Sequence, residues 1–241
     1  MSNFKTKWKV FWRLVGECFF RSLTPAAMYF VASVVLMLIQ AKVKAVSTTV
    51  VWACVCGICA LAYNGLLMWV CGGSHYEMLV SGNMKRRSAM QMGSELNITS
   101  YKYQKEYRPW KGFAIGAFAS LLLVVGAIVF GCNQDFIGKG EETSTALAVV
   151  TIVFDLFAGW ALIPFQVANI AGIYVSYFIA CALAILPIGV SGGLYIAGAY
   201  GRRNKTLRAQ EIAARAAEEE RNKPKKINYG GLPGTKPKKR K

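Results

Sequence analysis

Polar and apolar positions along this chain separate into long blocks instead of alternating. From Thr143 to Tyr200, 58 positions contain one charged residue, Asp155. Apolar sequence of that length exceeds what a soluble core element needs and fits membrane-spanning helices. Apolar blocks at roughly 23–41, 46–71 and 112–132 predict three earlier spans. Pro25 lies near the first turn of the first block, where proline is tolerated. Trp52 and Trp69 sit near the ends of the second, as headgroup anchors do. Ahead of them, Phe11, Leu14, Val15 and Cys18 recur at helical spacing, with Lys9, Arg13, Glu17 and Arg21 on the other side. That pattern predicts a helix lying in the membrane interface.

The expected fold is all-α: a polytopic transmembrane helical bundle of five or six spans, with an amphipathic N-terminal interfacial helix and a basic cytoplasmic C-terminal helix and disordered tail. Its parts are 1–22 (interfacial segment), 23–71 (two spans), 72–111 (basic cytoplasmic loop), 112–200 (remaining spans) and 201–241 (basic tail). Residues 203–222, rich in Ala, Glu and Arg, read as a solvent-exposed helix stopped by Pro224, with Glu211 and Arg215 spaced for an i,i+4 pair.

Charge sets the orientation. The net charge is +17, and residues 1–22, 72–111 and 201–241 hold 26 of the 29 Lys and Arg. Residues 133–142 instead hold Asp135, Glu141 and Glu142 against Lys139. The positive-inside rule puts the three basic segments, and both termini, in the cytoplasm. This creates a conflict in the 143–200 block. Two spans fit it comfortably but leave the tail outside. An odd number of crossings keeps the tail inside, and three spans broken at Pro164 and Pro187, or a re-entrant last piece, satisfy that. We expect six crossings, or five plus a re-entrant segment. The first apolar run is too long for a cleavable signal. A plasma membrane, multi-pass, is the expected location.

Few residues call for chemistry. Asp155 is expensive in a span; Gln166 and Asn169 would lie near it on one helix face. Together these form the candidate intramembrane polar set, serving either proton or cation passage or a packing hydrogen bond. Gly112 and Gly116 form a GxxxG pair, and Gly189, Gly193, Ala197 and Gly201 recur every fourth residue, as on helix-packing faces. Cys54, Cys56 and Cys59 suggest a soft metal only superficially, since no fourth ligand is nearby; small apolar packing residues is the simpler reading. His75, the single histidine, reads as a loop residue at a span's edge. The seven cysteines are odd in number and mostly in apolar runs, which argues against a disulfide framework.

No catalytic residue, metal or cofactor is expected. The leading expectation is a non-enzymatic accessory or scaffold protein. Its basic ends, including Arg202, Arg203, Lys236, Lys238, Lys239, Arg240 and Lys241, would bind anionic lipid headgroups or a polyanionic partner such as ribosomal RNA. A membrane-protein partner or a second copy is also compatible. The alternative is a small proton- or cation-coupled transporter or channel that uses Asp155.

Overall fold

The computed structural model describes residues 2–43, 45–91, 106–134 and 145–222, with side chains described from 8 onward and not for 85–91 or 145–146. The described residues form helices and no strand. They are α1 (Ser2–Gln40), α2 (Val46–Gln91), α3 (Trp110–Ala119), α4 (Leu121–Cys132), α5 (Thr145–Ile170), a 3-10 turn (Tyr177–Ile179), α6 (Ala180–Leu183) and α7 (Ile185–Asn222). Four helices are long and apolar enough to cross a membrane, and a fifth span arises if α3 and α4, bent by 44° at Ser120, count as one.

Which surface is apolar shows what solvent the fold is built for. Phe20, Leu38, Ile58, Leu66, Val70 and Ile185 are exposed, whereas Lys111, His75, Asn64 and Asp155 are buried. A water-soluble protein arranges these groups the other way round. Here apolar side chains face outward to lipid, and polar groups find partners inside. This is a membrane-embedded helical protein.

Several boundaries differ from those the sequence suggests. No break separates an interfacial helix from a first span: α1 runs through Pro25, whose side chain is fully buried. In lipid a helix has no water to take over its backbone bonds, so it bridges a proline that a soluble helix would end at. The second helix does not stop at residue 71 but continues to Gln91, making the first part of the expected loop helical. Nor does a helix end at Pro164 or Pro187 in the 143–200 block. Pro164 lies inside α5, and Pro187 sits in the first turn of α7, where its missing N–H costs nothing. The chain instead reverses at residues 171–176, where Gly172 takes φ +83°, a conformation glycine adopts freely.

α5 is sharply bent. Gln166 Nε2 donates to Asp155 Oδ1 at 2.7 Å across eleven residues. A straight helix would separate the two Cα atoms by about 16 Å along its axis, beyond the reach of these side chains. The bend has identifiable contributors, one of which is Pro164 inside the helix. Ser33 Oγ on α1 accepts the Trp160 backbone N–H at 3.1 Å, an inserted partner of the kind that kinks helices. Gly159 beside it lets α1 approach: a Cβ there would lie 3.3 Å from Ser33 Cβ. Beyond the bend, Ile163 and Val167 pack with Leu36 of α1 and Ala53 of α2.

Residues 203–222 form a separate unit, the end of α7, helical and exposed almost throughout. The expected Glu211–Arg215 spacing lies on this helix. The tail from 223 lies outside the described residues.

Candidate functional site

The densest polar cluster joins α1, α2, α3 and α7. Glu17 and Arg21 lie one turn apart on α1, as do Cys71 and His75 on α2, so each pair shares a helix face. Glu17 is the hub. Its Oε2 accepts from Lys111 Nζ at 3.0 Å and its Oε1 from Arg21 Nε at 3.2 Å, with His75 Nε2 at 3.6 Å. His75 Nδ1 meets the Tyr195 hydroxyl at 2.7 Å. A phenol donating to Nδ1 leaves the Nε2–H aimed at Glu17, which assigns the tautomer from the network. Arg21 also reaches Cys71 Sγ at 3.3 Å, and Cys71 Sγ lies 3.8 Å from His75 Nε2.

The segment before α3 closes over this cluster. Tyr107 N–H donates to the His75 carbonyl at 3.0 Å, and the Tyr107 ring stacks on Tyr195 at 5.4 Å. Burial pushes the Tyr107 phenol above its usual pKa, with Tyr200 adding to the effect. His75 and Lys111 are sealed, at 0% and 1% exposure, and Cys18 beside them is equally buried. A carboxylate, two cations, an imidazole and a phenol thus tie four helices together, with Lys111 and His75 sealed and Arg21 and Glu17 partly exposed at 34% and 13%. Such a cluster fixes helix register; nothing in its geometry presents a nucleophile to a substrate.

His75 is therefore not a loop residue at the edge of a span, because α2 continues past it and turns it inward. Two signals could have found the cluster: Glu17 is the one acid in the first 76 residues, and His75 is the one histidine. A second network also escaped the sequence reading. Asn64 Nδ2 donates to the Tyr29 hydroxyl at 3.1 Å and to Ser191 Oγ at 2.8 Å, bridging α2 to α1 and α7.

The predicted polar set is divided. Asp155 is buried and bonded to Gln166, both within α5. Asn169 faces elsewhere: its Oδ1 accepts Val175 N–H at 2.8 Å and its Nδ2 donates to Val175 O at 3.1 Å, holding the 171–176 reversal. Gln134, just past α4, donates to that same carbonyl at 2.9 Å.

The predicted glycines also divide. Gly112 and Gly116 face α7: a Cβ at Gly112 would lie 2.6 Å from Tyr195 Cβ, and one at Gly116 would lie 2.8 Å from Ile188 Cα. Gly189 and Gly193 have nothing within 4 Å, Ala197 is half-buried, and Gly201 makes only ordinary contact with Trp69. Close approach of α2 and α7 runs through other glycines. A Cβ at Gly72 would strike the Tyr195 carbonyl, and one at Gly198 would strike that of Trp69. Within the chain, the glycines of α7 that pack closely against α2 and α3 lie off the four-residue stripe. Arg202 pairs with Glu77, whereas Arg203 is exposed. Lys236, Lys238, Lys239, Arg240 and Lys241 lie outside the described residues.

Among the described residues, no group of three or more His, Cys, Asp and Glu is placed to hold a metal. Comparison with protein-family models, curated proteins and solved structures returns no match for this chain.

Proposed function

We propose that the chain is a membrane scaffold that holds basic segments at the cytoplasmic face to engage anionic lipid or a polyanionic partner. One observation carries the reading: the buried ionic groups are spent on internal clips, while most of the cationic charge lies in three segments outside the apolar core. Glu17 bonds Lys111 and lies 3.6 Å from His75 Nε2, and Asp155 bonds Gln166. That favours packing over passage for Asp155, because a transport site needs a carboxylate free to exchange partners.

The reading requires the three basic segments to share a side, and the geometry of α5 supports this. The ends of α4 and α5 meet at one carbonyl, that of Val175, through Gln134 and Asn169. If α5 crossed the membrane, residues 135–144 would have to return across it. Ten residues reach about 33 Å when fully extended, barely the ~30 Å of hydrocarbon. They carry Asp135, Lys139, Glu141 and Glu142, and each charge costs roughly 2.5–3.5 kcal/mol at the bilayer centre. A re-entrant α5, dipping in and out on one side, avoids that cost and uses its bend. Crossings are then made by α1, α2, the α3–α4 pair and the segment from Tyr177 into α7. Four crossings put both termini on one side, which reconciles the 143–200 block with the positive-inside rule.

The test has two parts. Single cysteines at Gly138 and Tyr174, in a background without native cysteines, should react with an impermeant thiol reagent from outside cells, and one at Gly230 should not. Labelling of Gly138 and Tyr174 from opposite sides would end the re-entrant reading. Deleting 223–241 removes eight Lys and Arg. At about 1 kcal/mol for each that reaches the surface, engagement of only three predicts roughly 100-fold weaker, salt-sensitive capture of anionic vesicles or polyanion. Equal capture with and without the tail would defeat the scaffold proposal.

A further inference from the structure

The lipid-facing side of the bundle carries a groove of about 450 Å³ between the first half of α2 and the part of α5 beyond its bend. Val50, Cys54 and Ile58 form one wall, Trp160 and Phe165 the other, and Leu186 lies at its margin. No lining residue is charged, and Val50, Ile58 and Leu186 are themselves exposed, so the groove opens toward lipid.

Two observations select its occupant. The first is depth. The α2 wall runs from Val50 to Leu61, about 16 Å of helix, or half the ~30 Å hydrocarbon thickness. A partner's transmembrane helix needs the full thickness, whereas an acyl chain needs one leaflet. The second is charge. Lys42 is exposed in the turn that leads into α2, Lys44 follows it in sequence, and no acid lies between residues 18 and 76. Lys42 thus offers a cation on the side of the groove's Val50 end.

We propose that the groove binds one acyl chain of a phospholipid from the leaflet on the side of the 41–45 turn, with Lys42 near its phosphate. The proposal rests on the re-entrant reading of α5, because a returning arm half a membrane deep is what limits the groove to one leaflet.

Trp160 in the groove wall is the reporter. The test uses full-length protein in which Trp8, Trp12, Trp52, Trp69 and Trp110 are replaced by Phe, placed in vesicles containing phospholipid brominated at mid-chain. Trp160 fluorescence should be quenched saturably, reaching half its limit at a mole fraction at least threefold below that expected for random annular contact. Cys54→Phe fills the groove from an exposed position and should abolish the saturable part. Lys42→Gln should remove any preference for anionic over zwitterionic brominated lipid; an unchanged preference would remove the phosphate role. Quenching that rises in proportion to brominated lipid and is indifferent to Cys54→Phe would overturn the site. The same preparations, labelled at Gly138 and Tyr174, separate the two failures. Opposite-side labelling defeats the re-entrant reading on which the proposal rests, and same-side labelling without saturable quenching defeats the lipid site alone.

Discussion

Glu17→Gln is the most informative single change at the four-helix cluster. It preserves shape and one acceptor oxygen but removes the carboxylate that Lys111 reaches at 3.0 Å. The Lys111 side chain is 1% exposed and that of Glu17 is 13% exposed, so the pair is largely desolvated. Removing one partner of a buried ion pair costs roughly 3–5 kcal/mol, since the remaining charge stays buried. Partial exposure of Glu17 and the retained amide oxygen put the expectation near the low end, about 3 kcal/mol. For a chain of this size that lowers the melting temperature by roughly 6–12 °C. Lys111→Met should cost less, about 1–2 kcal/mol, because Glu17 keeps Arg21 at 3.2 Å. The double variant leaves no buried ammonium and should be more stable than Glu17→Gln alone. Thermal unfolding in detergent, read with a thiol-reactive fluorogenic dye, measures this, because buried Cys18 adjoins the cluster and is released on opening. Strict additivity, with the double variant losing the sum of the two single losses within about 0.5 kcal/mol, would refute the claim that the pair is coupled.

Three further outcomes follow from named contacts. Gly72→Ala should separate α2 from α7 and lower stability by several kcal/mol, while Gly193→Ala, with open space around it, should stay within about 0.5 kcal/mol; parallel melts of the two variants check the assignment of faces. Ser33→Ala leaves the Trp160 N–H without its acceptor and should cost about 1–3 kcal/mol; hydrogen exchange at Trp160 should rise, and unchanged protection would contradict the inserted-partner account of the bend. Asp155→Asn keeps an oxygen for Gln166 and should fold normally, whereas Asp155→Leu should not; loss of ion flux in a well-folded Asp155→Asn variant would instead favour the transport reading.

The apolar blocks were legible because a bilayer imposes one requirement, about twenty apolar residues per crossing, whatever the protein does. Helix ends were less so. The usual stop signals are calibrated on chains whose ends water can solvate, and Pro25 and Pro164 both sit inside helices here. Helical spacing put Asp155 and Gln166 on one face but did not foresee their bond. Eleven residues place the two at similar angles on a straight helix while keeping them about 16 Å apart. Only the bend between them brings them into contact, and one of the contacts at that bend is made by Ser33, more than a hundred positions away.

The same long-range logic accounts for the four-helix cluster. Glu17, His75, Lys111 and Tyr195 each look incidental in their own segment: an interfacial acid, a loop histidine, a lysine of the basic loop and a tyrosine in a glycine-rich helix. No spacing rule links them, because their sequence separations reflect where four helices meet and not any repeat. What the sequence does carry is a cost. A charge or an imidazole near a span must be paired or it will not stay buried. Read by that criterion, Glu17 demands donor partners, and Arg21, Lys111 and His75 are the groups that the fold delivers to it. In a membrane protein without a catalytic motif, counting the expensive residues and asking which must meet is a stronger guide to interior architecture than periodicity, which reports chiefly on the lipid-facing side.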